Sequence, residues 1–357
     1  MRKKTLFLLP LCILAAAAVW AAAAGDAADP LASLSYLTGA FTSKVDAAVD
    51  ARLDAALSGQ SGEPAAPASA ASWTEVRLKQ EDLLQAAAGD SVLLLAGSAR
   101  VDYIAGAVVD VTTGNVLPSG ESLAARHRYL VAEDTAASFT VTSKTAVVDW
   151  QGACTFHYST ATDYNAMASA LKAMHLFQGS FTGYGQGFDL EVAPTRLQAL
   201  IMFIRVLGEE SEALAWNGTC PFGDVQPGSS GAKYVGYAYE RGYTNGYSAT
   251  EFRPSASVNA RQYTEFVLRA LGYSSAANTD LSDTLARAQN AGVLTEGEAA
   301  MLQSDPFLRA ELVYISYYAL EAQVSGTGRT LGETLMDKGV FTQWERDTAP
   351  PVVNWRL

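Results

Sequence analysis

One arrangement recurs three times in this chain and leaves few ways to fold. Helices are predicted to start at Thr195-Arg196-Leu197-Gln198, at Asn259-Ala260-Arg261-Gln262 and at Leu308-Arg309-Ala310-Glu311. Counted from each first residue, apolar side chains recur at offsets of four, seven, eleven and twelve: Ala199, Met202, Val206 and Leu207; Tyr263, Phe266, Ala270 and Leu271; Leu312, Ile315, Ala319 and Leu320. Such spacing keeps one face of each helix apolar. Gly208 and Gly272 stand just past two of the ends, where a left-handed cap is wanted. A second helix is expected before each of these, over Ala166–Phe177, Tyr234–Tyr243 and Leu281–Val293. A lone pair would leave an apolar face uncovered, and three neighbouring pairs can bury one another's.

The helix starts hold the most chemistry. Thr195 with Gln198, and Asn259 with Gln262, have the spacing of a capping box. Arg196 then lies at the first helical position, beside backbone N–H groups that lack helical partners and at the positive end of the helix dipole. A guanidinium there either receives a ligand carboxylate or pairs with an acid of its own protein, such as Asp224. Spacing does not choose between the two.

The middle pair, Phe222 to Tyr273, is the fullest. Phe222-Gly223-Asp224-Val225 leads into Tyr234–Gly242, a turn at Thr244-Asn245-Gly246, and Phe252-Arg253-Pro254 before the second helix. This unit resembles the S-layer homology module, with further copies on both sides, over about residues 160–323. The resemblance implies three copies, 158–212, 213–273 and 274–323, closed into an all-α, pseudo-threefold trimer. It also implies non-covalent attachment to a bacterial cell wall through an anionic, pyruvylated secondary cell-wall polysaccharide. The family's helix-start motif runs Thr-Arg-Ala-Glu, and its arginine helps bind that polymer in grooves between copies. Arg196 and Arg309 fall on that position. Ala260 holds it in the second copy, with Arg261 displaced by about 100° of helix rotation. Asp224 matches an acid that could orient an arginine or accept sugar hydroxyls. Gly246 matches a glycine where backbone could approach a sugar. The ligand-binding residues expected are therefore Arg196, Arg309, Asp224, Gly246 and Arg261.

The rest of the chain reads as an α+β multidomain protein. Residues 1–24 have the basic start, apolar core and Ala22-Ala23-Ala24 end of a secretory signal peptide. Leu31 to Leu57 form an apolar helical stripe over 25–57, which packs on its own protein or drives self-association. Residues 58–72 are a Gly/Pro/Ser/Ala-rich linker. Short β-rich runs at Ser91–Ala96, Ala107–Val111, His127–Val131 and Ser138–Thr142 predict a small antiparallel domain over 73–157, a sandwich or partial barrel. After the third copy, 324–357 offer one short helix near Leu331–Lys338 and an irregular tail.

Composition narrows the partners. The formal net charge is −12, and losing Arg2, Lys3 and Lys4 with the leader makes it more negative. That balance disfavours nucleic acid and anionic lipid, and places any anion binding at local cationic sites. No later stretch is long and apolar enough to span a bilayer. Neither the three histidines nor the cysteines show metal-ligand spacing, and no phosphate loop or nucleophile elbow is present. No enzymatic activity and no cofactor are expected, and the surface of the cell is the expected location. An envelope enzyme acting on polysaccharide and a self-assembling surface scaffold are the alternatives. Cys154 and Cys220 remain after the leader is removed, either as thiols or as a bridge.

Overall fold

The computed structural model describes residues 72–352 and 356, apart from 133, 181, 276 and 305. The leader, the 31–57 stripe and the linker up to residue 71 lie outside the described residues.

Among the described residues ten strands come first: β1 (Thr74–Lys79), β2 (Leu83–Ala87), β3 (Ser91–Ala96), β4 (Ala99–Asp102), β5 (Ala107–Asp110), β6 (Asn115–Leu117), β7 (Arg128–Ala132), β8 (Ala136–Val141), β9 (Thr145–Gln151) and β10 (Thr155–His157). They form a six-stranded sheet in the order β1-β9-β3-β7-β5-β6 and a four-stranded sheet in the order β10-β2-β8-β4. Every pairing is antiparallel, β1 running from Thr74 opposite Trp150 to Lys79 opposite Thr145. Alternate residues point inward from both sheets, among them Leu78, Leu84, Val92, Leu94, Val101, Phe139 and Val148, and they share one core. The domain is a sandwich.

Ten α-helices follow among the described residues: α1 (Tyr164–Ala173), α2 (Arg196–Val206), α3 (Glu210–Ala215), α4 (Ser230–Glu240), α5 (Ala260–Ala270), α6 (Thr284–Asn290), α7 (Glu296–Ser304), α8 (Arg309–Ala319), α9 (Leu331–Asp337) and α10 (Gln343–Thr348). Helices α2, α5 and α8 each touch the other two. Phe203 of α2 meets Tyr263 and Phe266 of α5 edge-on or tilted, and the Tyr263 hydroxyl shares a 2.7 Å hydrogen bond with Ser316 of α8. Burying an aromatic of this size stabilises by roughly 1.5–3 kcal/mol. The predicted apolar offsets face this core, with Ala270 half-buried, except Val206, which is buried outside the cluster. Helix α1 packs on α8, α4 on α2 and α6 on α5, so each first helix covers the second helix of the preceding pair and the order closes on itself.

Among the helices, α3, α7 and α10 were not expected. Helix α7 fills the space before α8, because Thr295 and Glu298 cap its start reciprocally. The tail holds α10, started by the Thr342–Glu345 capping box, where irregular chain was expected.

The sandwich and the helices belong to one compact unit, Ala71–Leu357. The outer face of β1 and β9 meets the helices. Arg77 donates to Glu191 Oε1 (2.7 Å), Asn165 Oδ1 (2.7 Å) and the Gly185 carbonyl (3.0 Å). Lys144, in the turn between β8 and β9, reaches the Glu311 carboxylate, which is 1% exposed. Burial pushes Glu311 above the ordinary glutamate range, against the pull of Lys144. A raised carboxyl is easy to protonate in the fold, so its stability contribution is greatest at acid pH and declines as pH rises through the folded value. Lys144→Ala removes the opposing charge and raises that value further. The deficit of the variant in unfolding free energy is therefore expected to be small near pH 4 and to grow toward neutrality, as measured by denaturant titration across pH. A deficit independent of pH would show that Glu311 never ionises in the fold.

Candidate functional site

The groove between the first and second helix pairs is built around Arg196. Its helix begins where it does because Thr195 Oγ1 accepts the Gln198 N–H (3.2 Å) and Gln198 reaches back to the Thr195 N–H (3.0 Å). The Arg196 and Leu197 N–H groups donate to the carbonyls of Ala256 (2.8 Å) and Pro254 (3.1 Å). The backbone donors expected to face a ligand are thus taken up by the neighbouring loop. What remains for an anion is the guanidinium.

That guanidinium is buried, 6% exposed, and forms no ion pair among the described residues. Nη2 donates to the Gly246 carbonyl (3.2 Å), and Nε has no hydrogen-bond partner. The group lies over the rings of Phe252 and Phe266, at 5.0 and 5.8 Å from their centroids. Burial, and then the charge of Arg269, push it down to about 10. It faces a cavity of about 310 Å³, whose polar lining includes Asn245, Glu265, Arg269 and Asn278. Two guanidiniums therefore share this groove with one carboxylate. An incoming anion would replace lost hydration at both.

Arg309 stands differently. It is equally buried and its Nε also lacks a partner, but Nη1 pairs with Asp189 Oδ2 (3.3 Å) and lies 3.4 Å from Ser180 Oγ. Burial lowers its affinity for its proton and Asp189 opposes this. The pairing with an acid of its own protein, left open from spacing for Arg196, is realised at Arg309.

Asp224 does not meet Arg196. Its carboxylate accepts the N–H groups of Phe252 (2.9 Å) and Arg253 (2.6 Å), which hold it below the usual range although burial acts in the other direction. It ties the strand-like loop carrying Phe252 to the start of its helix pair. Gly246 has φ +83°, and a Cβ there would stand 2.3 Å from the Phe222 ring. Only glycine lets the Gly246 carbonyl turn toward Arg196. Arg261 is exposed at the start of α5, while Ala260, at the motif position, is buried and offers no donor.

Sequence reasoning missed Glu265 and Arg269. Glu265 is 2% exposed and holds Arg269 (3.1 Å) and Arg287 (2.8 Å), while Arg269 also reaches Asn245 Oδ1 (2.9 Å) and the Asn278 carbonyl (2.7 Å). A signal was present: at the offset of Glu265 the other two helices carry Ile201 and Tyr314. A charge on the buried side of one repeat alone marks a departure with a cause.

Among the described residues no group of three or more His, Cys, Asp or Glu side chains could hold a metal, and no helix is long and apolar enough to cross a membrane. Cys154 and Cys220 are free thiols, and burial with Asp90 nearby pushes Cys154 up to about 12.

A family model, the S-layer homology domain, matches residues 221–259, from the loop before α4 to the residue before α5. No curated protein matches the chain. Among solved structures, one that is similar in part is dTDP-6-deoxy-D-glucose-3,5-epimerase from Legionella pneumophila in complex with dTDP-4-keto-L-rhamnose, at 20% identity, 25% of this chain, 49% of that chain and a TM-score of 0.15. Another is procruciferin, an 11S globulin from Brassica napus, at 14% identity, 29% of this chain, 27% of that chain and a TM-score of 0.18. The chain thus spans about half of the first and about a quarter of the second. Overlaps this poor carry no argument about fold or activity.

Proposed function

We propose that this chain is a surface protein that holds to the bacterial cell wall by binding, without catalysis, and that its anchor is the Arg196 groove. The S-layer homology match at 221–259 supports a wall-anchoring surface protein in general. On this reading residues 158–212, 213–273 and 274–323 are three copies of that module. The mutual packing of α2, α5 and α8 favours it. The ligand is an anionic secondary wall polysaccharide, with a pyruvyl carboxylate as the group that meets Arg196.

One observation carries the reading. Arg196 is a buried cation with no carboxylate partner among the described residues, facing a cavity lined by amides, a second arginine and Glu265, which Arg269 and Arg287 already hold. Burying such a charge is costly unless something pairs with it, so the groove is built for a partner that comes from outside.

The test is co-sedimentation of the exported chain with purified walls, before and after the secondary polymer is stripped. Pelleting is expected with intact walls and lost with stripped ones. Raising salt from low to physiological strength is expected to weaken it, since the Debye length contracts to about 8 Å. Equal pelleting with both wall preparations would place the target in peptidoglycan and overturn the assignment.

A further inference from the structure

The three helix starts are not equivalent in what they can accept. At α2 the arginine is unpaired and open to the cavity; at α5 the motif position is Ala260; at α8 the arginine already has a carboxylate, Asp189. The loop that supplies Asp189 lies under the sandwich. Arg77 holds Glu191 and the Gly185 carbonyl on that loop and lies over the ring of Phe188, 5.5 Å from its centroid. Glu75 accepts the Gly185 N–H (2.8 Å). A Cβ on Gly185 would meet Arg77 Nη1 at 2.4 Å and Val147 Cγ2 at 3.0 Å, so sheet and loop are in full contact. Two residues beyond Arg309, Lys144 of the sandwich takes the Glu311 carboxylate.

The geometry points to a single polymer site among the described residues, the Arg196 groove, with the Arg309 groove occupied in cis: Asp189 supplies the carboxylate that a ligand would bring, and the β sandwich covers the loop that carries it. This rests on the wall-binding reading of Arg196 and adds a valence to it. It also gives the sandwich a role, as the element that retires one groove and takes a fixed seat on the anchor.

Calorimetry with a monosaccharide methyl glycoside bearing a pyruvyl ketal tests this on the full exported chain, since a monovalent probe cannot bridge sites. One probe per chain is expected. Binding is expected to be lost in Arg196→Met. It should be unchanged in Arg309→Gln combined with Asp189→Asn, a pair chosen to remain neutral and hydrogen-bonded so that the fold survives; circular dichroism checks that it does. Two or more probes per chain in the parent would overturn the inference while leaving wall binding intact. So would a single site that survives Arg196→Met and disappears in the neutral pair. No heat at all, with the parent folded, would remove the wall-binding reading itself and this one with it.

Discussion

Arg196→Met is expected to lose binding of a short acidic wall fragment while the protein stays as heat-stable as the parent or becomes more so. Methionine has nearly the length of the arginine stem and can lie between Phe252 and Phe266, where the guanidinium now sits. The binding loss follows from one charge-assisted hydrogen bond, roughly 1.5–3 kcal/mol, which is about ten- to a hundredfold in affinity. The stability gain follows from removing a buried cation that Arg269 repels and that no described carboxylate balances. Replacing unpaired buried charge with a fitting apolar group is neutral to favourable. Arg309→Met should keep the affinity and lower the melting temperature, since it strands Asp189. Calorimetry and a melting curve on the two variants separate these outcomes. A parent-like affinity together with a lowered melting temperature in Arg196→Met would mean that this arginine serves the fold.

Glu265→Gln is expected to have the largest effect on stability. One carboxylate holds Arg269 and Arg287 and accepts from Ser274 (2.5 Å), and its side chain is 2% exposed. Glutamine keeps the shape and leaves Arg269 without a counter-charge and Arg287 with Asp283 alone. Breaking a buried ion pair from one side costs about 3–5 kcal/mol. The helix start at Arg196 is untouched, and the groove becomes more positive. Affinity for the acidic fragment in the folded variant is therefore expected to hold or rise while unfolding in denaturant moves to markedly lower concentration. A fall in affinity with unchanged stability would reverse the roles assigned to Glu265 and Arg196.

Much of the helical half was legible because periodicity and caps are local. The offsets from each helix start name side chains that, Val206 apart, face the shared core, and the Thr195–Gln198 and Asn259–Gln262 boxes form as spaced. Four of the strands were legible for the same reason. Strand β9 was not: Ala146, Val147 and Val148 are buried on both faces, one by the sandwich and one by the helices, so the alternation that marks a half-exposed strand is missing. The Arg77 and Lys144 clamps were invisible because their partners are remote in sequence. The site was half-legible. Motif position identified Arg196, but whether an arginine at such a position is free or paired depends on a loop more than a hundred residues from Arg309, and no local pattern encodes that.

The closed order of the helices bears on how the chain can come to fold. Tyr164 of α1 rests 5.9 Å, ring to ring, from Tyr314 of α8. The first helix of the set is thus completed by the second helix of the third pair. Contacts of such long sequence separation form slowly, because the loop must be closed before they reward it. In an open stack, terminal units can fray and each added unit is a step of its own. Here no unit is terminal, and a nascent chain ending anywhere before Arg309 lacks the surface on which α1 rests. Closure of the ring therefore has to wait until α8 has been made.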